Sequence, residues 1–150
     1  MKKILMKTVV GLAALAAASS AFASPASEAL AKAVHAGEHI FNTDTFGGHE
    51  QSFHGTHTTC ATCHVDGGRV MGHLPNGKKI PSLTNAAAIF PRYNPHMGKV
   101  ITLETQIRGC VHNGLLGRPP AYGSRTMVDL VSYLGSLAHG QPINIGGKPH

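Results

Sequence analysis

Cys60-Ala61-Thr62-Cys63-His64 is the feature of this 150-residue chain that most narrows what it can fold into. On one helical turn, side chains three positions apart lie on the same side. Two cysteines so placed match the separation of the two vinyl groups of a haem, with which their sulfurs form thioethers. His64 follows directly, and a ring tethered at both sulfurs would hold that imidazole beneath the iron as an axial ligand. Other uses of these residues make different demands. A redox-active cysteine pair asks for a βαβ surrounding, and no such pattern is visible. A structural zinc site asks for four ligands, and a second Cys-x-x-Cys is missing. A plain disulfide leaves His64 without a purpose. The spacing implies a single haem c, covalently held by Cys60 and Cys63, with His64 as the proximal iron ligand.

Composition agrees with a core built around such a group. Aromatic residues make up 5% of the chain, tryptophan is absent, and glycine (18) and proline (9) are plentiful. Turns are therefore many and bulky core side chains few. A short chain with so little core material usually needs a cofactor, a metal or a disulfide to fold. At 42% hydrophobic, it is neither a disordered segment nor a polytopic membrane protein.

Residues 1–23 read as a signal peptide rather than as part of the fold. Lys2, Lys3 and Lys7 form a positive start, 8–20 an apolar run, and Ala21-Phe22-Ala23 a small-x-small cleavage site. The apolar run falls short of the roughly 20 residues that a membrane span needs. Cleavage after Ala23 and export to the periplasm are expected, with no membrane span in the mature chain. Loss of the three lysines takes the net charge from +6 to +3. The remaining basic residues are scattered and form no stripe with aromatics, which excludes nucleic acid as a partner class.

Along the rest of the chain the apolar spacing predicts helices and loops, without strand-like alternation. Residues 27–42 read as a helix capped at Ser27, with Leu30, Val34, Gly37 and Phe41 on one face. A helical turn carries 60–64, and 83–90 is a short helix stopped by Pro91. Residues 102–113 form a helix capped at Thr102, with Leu103, Ile107, Cys110 and Val111 on one face. The clearest helix is 124–139, striped by Met127, Leu130, Val131, Leu134 and Leu137. The segments 43–59, 65–81 and 95–98 are read as loops. The fold class is all-α, with a domain over 24–139 and a loose tail over 140–150.

The face of the iron opposite His64 decides the chemistry, and the sequence leaves its ligand open. Met127 lies on the stripe of the last helix and belongs to the core, and Met71 follows the haem turn closely in sequence. Met97, in Pro95-His96-Met97-Gly98, is a candidate, with His96 as its rival. Cys110 is the other candidate: in an exported protein an unpaired thiol invites oxidation, so its presence asks for a use. Among the 11 histidines, His35, His39, His49, His54, His57 and His73 surround the haem motif. They read chiefly as solvated, with His35 and His39 able to share a metal ion at i, i+4.

Several segments resemble known families. Gly37-Glu-His-Ile-Phe41 and Asp129-Leu-Val-Ser-Tyr133-Leu are similar to the terminal helices of class I cytochromes c, where a glycine lets one helix cross the other closely. Pro91 to Cys110, with its Leu-Glu-x-x-Ile-x-x-Cys piece, and Thr126 to Tyr133 resemble the haem domain of thiosulfate dehydrogenases and of SoxA-type sulfur-oxidation cytochromes. The resemblance implies a class I cytochrome c-like fold wrapped around haem c. It implies Cys110 as distal ligand and sulfur-reactive group. In these families an arginine commonly stands four residues before that cysteine; here the position is Gln106, with Arg108, Arg69 and Arg92 as other candidates to hold an anion. A second haem motif, usual in the dehydrogenases, is missing from this sequence.

Together these readings describe an exported carrier of single electrons in inorganic sulfur oxidation or a related respiratory chain. The alternative is a thiosulfate dehydrogenase-like enzyme using Cys110 and Arg108 as catalytic groups. Either needs a redox partner protein, another cytochrome or an oxidase or dehydrogenase, and the second also a small sulfur oxyanion.

Overall fold

A computed structural model of the chain describes residues 24–48 and 57–150. The leader at 1–23 with its cleavage point after Ala23, and His49 and His54, lie outside the described residues. Ser24 opens helix α1 (Pro25–Thr43): its side chain accepts from the Ser27 N–H, and Pro25 occupies the first turn. The cap expected at Ser27 therefore sits one turn earlier, because a proline at the first helical position has no N–H to satisfy and a preset φ. Gly37 and Phe41 are buried as the spacing implies, whereas Leu30 is exposed.

The haem motif forms a single turn, α2 (Cys60–Cys63), steadied by the Thr62 hydroxyl accepting from the Thr59 N–H at 3.0 Å. A 3-10 turn follows at Asp66–Gly68, with φ of 60° at Gly67 and 86° at Gly68. These are left-handed values that glycine adopts at little cost. Strands β1 (Gly72–His73) and β2 (Lys79–Ile80) pair antiparallel, as do β3 (Arg92–Asn94) and β4 (Lys99–Ile101). Between the two ladders lies α3 (Ala86–Ile89). The ladders fall in segments expected to be loop or left unassigned. Each pairs two or three residues, too few for a period-two pattern to register in sequence. Gly77 (φ 80°) and Gly98 (φ 63°) turn the two hairpins.

Helix α4 (Leu103–Cys110) starts at the expected cap, Thr102, whose side chain accepts from the Thr105 N–H, and it widens into a π turn at Val111–Leu115. Helix α5 (Arg125–Leu137) is capped by Ser124 in the same way. The two terminal helices cross at Gly37. A Cβ there would run into the Asp129 carbonyl oxygen and lie 2.8 Å from the Tyr133 Cβ. Around this crossing the core gathers Phe41, Ile107, Val111, Met127, Leu130 and Tyr133, all buried. The tail over 140–150, expected to be loose, is tied back onto the chain around α3. Asn144 N–H donates to the Ala88 carbonyl, Gly146 N–H to that of Ile89, and Ser82 N–H to that of His150. Its glycines and prolines suggested freedom, but those donors find carbonyls that the short α3 leaves unpaired. Among the described residues no helix is long and apolar enough to cross a membrane.

Candidate haem site

A cleft of about 440 Å³ opens between α2, the two hairpins and α4. Such a volume falls in the usual range of cofactor pockets, roughly 300–1,000 Å³. Its walls are mainly apolar, including Phe41, Leu83, Ile101, Ile107, Leu130 and Leu134. Cys60, Cys63 and His64 line it from α2, and Cys110 lines it from the last position of α4. The fold thus brings these four residues to one cleft.

The thiols sit in low-polarity surroundings. Burial pushes Cys60 up to about 12, with the nearby Cys110 adding to the effect. Cys63 is raised by burial and then by Cys110. Cys110 is raised by burial, and the Gln106 amide partly opposes this. Its own surface is open to the cleft. A redox-active Cys-x-x-Cys depends on a lowered thiol pKa; here both cysteines move the other way. Two half-buried thiols on one turn beside an apolar cleft suit thioether formation instead.

His64 is half-buried, and its ring stands 6.3 Å from that of Phe41, tilted by 50°. Burial lowers its pKa, and the Pro81 carbonyl partly opposes the shift without closing a hydrogen bond to Nδ1. The imidazole is thus held neutral, the form that binds iron. Its buried, unbonded Nδ1 faces protein, which leaves Nε2 as the nitrogen for a ligand in the cleft. An apolar slot, two thiols on one turn and a neutral imidazole beside them fit haem c. Cys60 and Cys63 would take the thioethers and His64 the iron.

Met97 and His96 also line the cleft, from the turn between β3 and β4, and both are exposed. Met127 is 1% exposed in the core, as its place on the α5 stripe implies. Met71 is exposed and lies off the cleft. Arg108 is not brought to the cleft. Its guanidinium donates to the Pro120 carbonyl and stacks 4.7 Å over the Tyr122 ring. The reason is helical rotation: Gln106, Ile107 and Cys110 face the cleft at three-to-four spacing, and position 108 turns about 200° from 106. Arg69 pairs with Glu38 at 3.3 Å and lies over the Tyr133 ring. Arg92 lies over Phe90. Neither lines the cleft. His35 and His39 are exposed on α1, and among the described residues no group of three or more metal-binding side chains forms.

Two participants escaped the sequence reading. One is the Pro81 carbonyl, a backbone group that carries no side-chain signature. The other is the Gln106 amide, which donates to Cys110 Sγ at 3.5 Å. The i, i+4 spacing of Gln106 and Cys110 on a helix was the signal available for it.

Residues 47–143 match the family model described as SoxA/TsdA, cytochrome c domain. The thiosulfate dehydrogenase of Thiomonas intermedia is 34% identical over 90 residues, covering 60% of this chain and 26% of that protein. The thiosulfate dehydrogenase of Allochromatium vinosum is 29% identical over 91 residues, covering 61% and 33%. The chain thus spans a third or less of the length of these curated relatives. Two solved structures share the fold. The thiosulfate dehydrogenase (TsdBA) from Marichromatium purpuratum superposes with a TM-score of 0.58 at 24% identity, over 78% of this chain and 26% of that one. SoxXA from P. pantotrophus gives 0.59 at 21% identity, over 81% and 38%.

Proposed function

This chain belongs to the SoxA/TsdA cytochrome c domain family and carries haem c, and from that premise we propose that it is an exported, periplasmic carrier of single electrons in inorganic sulfur oxidation. Cys60 and Cys63 would hold the haem through thioethers, and His64 and Cys110 would ligate its iron. The observation that carries this reading is the cleft itself, with Cys60, Cys63 and His64 on one wall and Cys110 reaching it from α4. The bound haem supplies a one-electron couple at its iron. The chain's residues do the rest. The apolar walls exclude water, which raises the energetic weight of every charge near the iron. His64 is oriented by its packing against Phe41. Cys110 is presented from a capped helix, and a thiolate at this position draws the potential down relative to a methionine.

A redox partner protein, another cytochrome or an oxidase or dehydrogenase, takes the electron onward. The relatives named thiosulfate dehydrogenase support a place in sulfur oxidation, and they are longer than this chain. A second reading, thiosulfate dehydrogenase-like catalysis, is favoured by the access of the Cys110 sulfur to the cleft. Against it stands the lining: among the described residues no lysine or arginine borders the cleft to hold an oxyanion.

Electron paramagnetic resonance of the purified ferric protein tests the ligand set. A thiolate-type low-spin signal is expected, lost in Cys110→Ser and kept in Met97→Leu. An unchanged signal in Cys110→Ser overturns the assignment. Addition of thiosulfate without any partner separates the two functions. A carrier leaves the haem oxidised, whereas reduction that disappears in Cys110→Ser establishes the enzyme.

A further inference from the structure

We infer that Gln106 is a positioning residue for the Cys110 sulfur, its side-chain amide donating one hydrogen bond that sets how strongly this sulfur can donate to iron. The inference rests on the reading of Cys110 as distal ligand and goes one residue beyond it.

The geometry is local and well supported. Gln106 and Cys110 are four residues apart on α4, so their side chains stack on one face of the helix. Both line the cleft, and Gln106 Nε2 lies 3.5 Å from Cys110 Sγ. The helix is held in this rotation from two sides. Thr102 caps its start, and Ile107 is buried between the two cleft-facing positions. Gln106 is itself half-buried, and the sulfur it faces is open to the cleft.

The consequence has a definite sign. Hydrogen bonds to a ligating cysteine sulfur tune the potential of its metal. Donation from the amide withdraws electron density from the sulfur and weakens its support of the ferric state. The ferrous state is thereby favoured and the midpoint potential raised. The amide is uncharged, so it acts on the sulfur without creating an anion site in the cleft.

The test uses the holoprotein with Gln106→Leu and Gln106→Met, which remove the donor and keep bulk, and Gln106→Lys, which returns an N–H donor. Potentiometric titration and electron paramagnetic resonance are read on each. Both apolar variants should keep a low-spin thiolate signal with altered g-values and show a lower midpoint potential than the parent. The lysine variant should move the potential back towards or above the parent value. A parent-like potential and unaltered g-values in both apolar variants, with the thiolate signal present, overturn the inference and leave Cys110 as ligand. A parent protein that lacks the thiolate signal overturns the ligand assignment and the inference with it.

Discussion

Tyr133 shows how much of this domain depends on single atoms. Its residue is 1% exposed, and its hydroxyl donates to the Gly67 carbonyl at 2.7 Å. Its ring packs 5.4 Å from that of Phe41. One side chain thus joins α5, α1 and the loop that follows the haem motif. Replacing it with phenylalanine keeps the ring contacts but strands the Gly67 carbonyl, at a cost of about 1–3 kcal/mol. Chemical denaturation of Tyr133→Phe should show this loss as a lower midpoint with an unchanged slope. The pH dependence adds a second readout. Burial raises the Tyr133 pKa above its ordinary value near 10. The folded state therefore holds the phenolic proton more tightly than the unfolded one. That contribution is fully present below about pH 10 and is lost as pH climbs from there through the folded value. The parent should lose stability more steeply than Tyr133→Phe over that alkaline range. The sequence marked Tyr133 as part of the crossing segment of the last helix, but its bond to the Gly67 carbonyl, 66 residues away, was not legible there.

At the scale of elements, the α1–α5 crossing organises the fold. Gly37 allows the Asp129 backbone to approach closely, and any side chain there must push the helices apart. Gly37→Ala gains helix propensity of about 1 kcal/mol but meets backbone rather than a flexible side chain. Overpacking of this kind costs typically about 1–3 kcal/mol, and more where nothing can yield. Net of the propensity gain, a loss of up to about 2 kcal/mol, and more if the Asp129 backbone cannot shift, is expected by thermal or chemical unfolding; a gain in stability would refute the close-crossing account. This element was legible beforehand, because a glycine on the apolar stripe of the first helix and the Asp129–Tyr133 segment of the last are both local patterns. The two hairpins were not, since two- and three-residue ladders depend on which strands meet and not on any internal period. The anchoring of the tail was not legible for the same reason. Asn144 and Gly146 find the carbonyls of α3 through contacts distant in sequence.

For the whole molecule, the cleft and the core are one structure. Phe41, Ile107, Leu130 and Leu134 belong to both, so the haem-facing wall is also the surface that holds the helices together. With nothing bound, the cleft of about 440 Å³ would admit water against its apolar walls and deprive its lining of packing partners. Domains of this size are stable by about 5–15 kcal/mol. The chain expressed without haem attachment, or carrying Cys60→Ser and Cys63→Ser, should therefore lose its cooperative thermal transition and its near-ultraviolet circular dichroism. A sharp, parent-like transition in that protein would show that the helices suffice alone.

By itself the sequence determined the haem attachment motif, the Thr102 cap of α4 and the glycine at the crossing of the terminal helices. Each is written within one or two turns, where covalent geometry and helical periodicity decide the outcome. The tertiary structure alone decided which side chains share the cleft. It brought Cys110 and Gln106 into it and turned Arg108 away to Pro120 and Tyr122. The rotation of α4 is set by burial of Ile107 and Val111 in a core shared with α5. No local pattern encodes such a long-range packing decision.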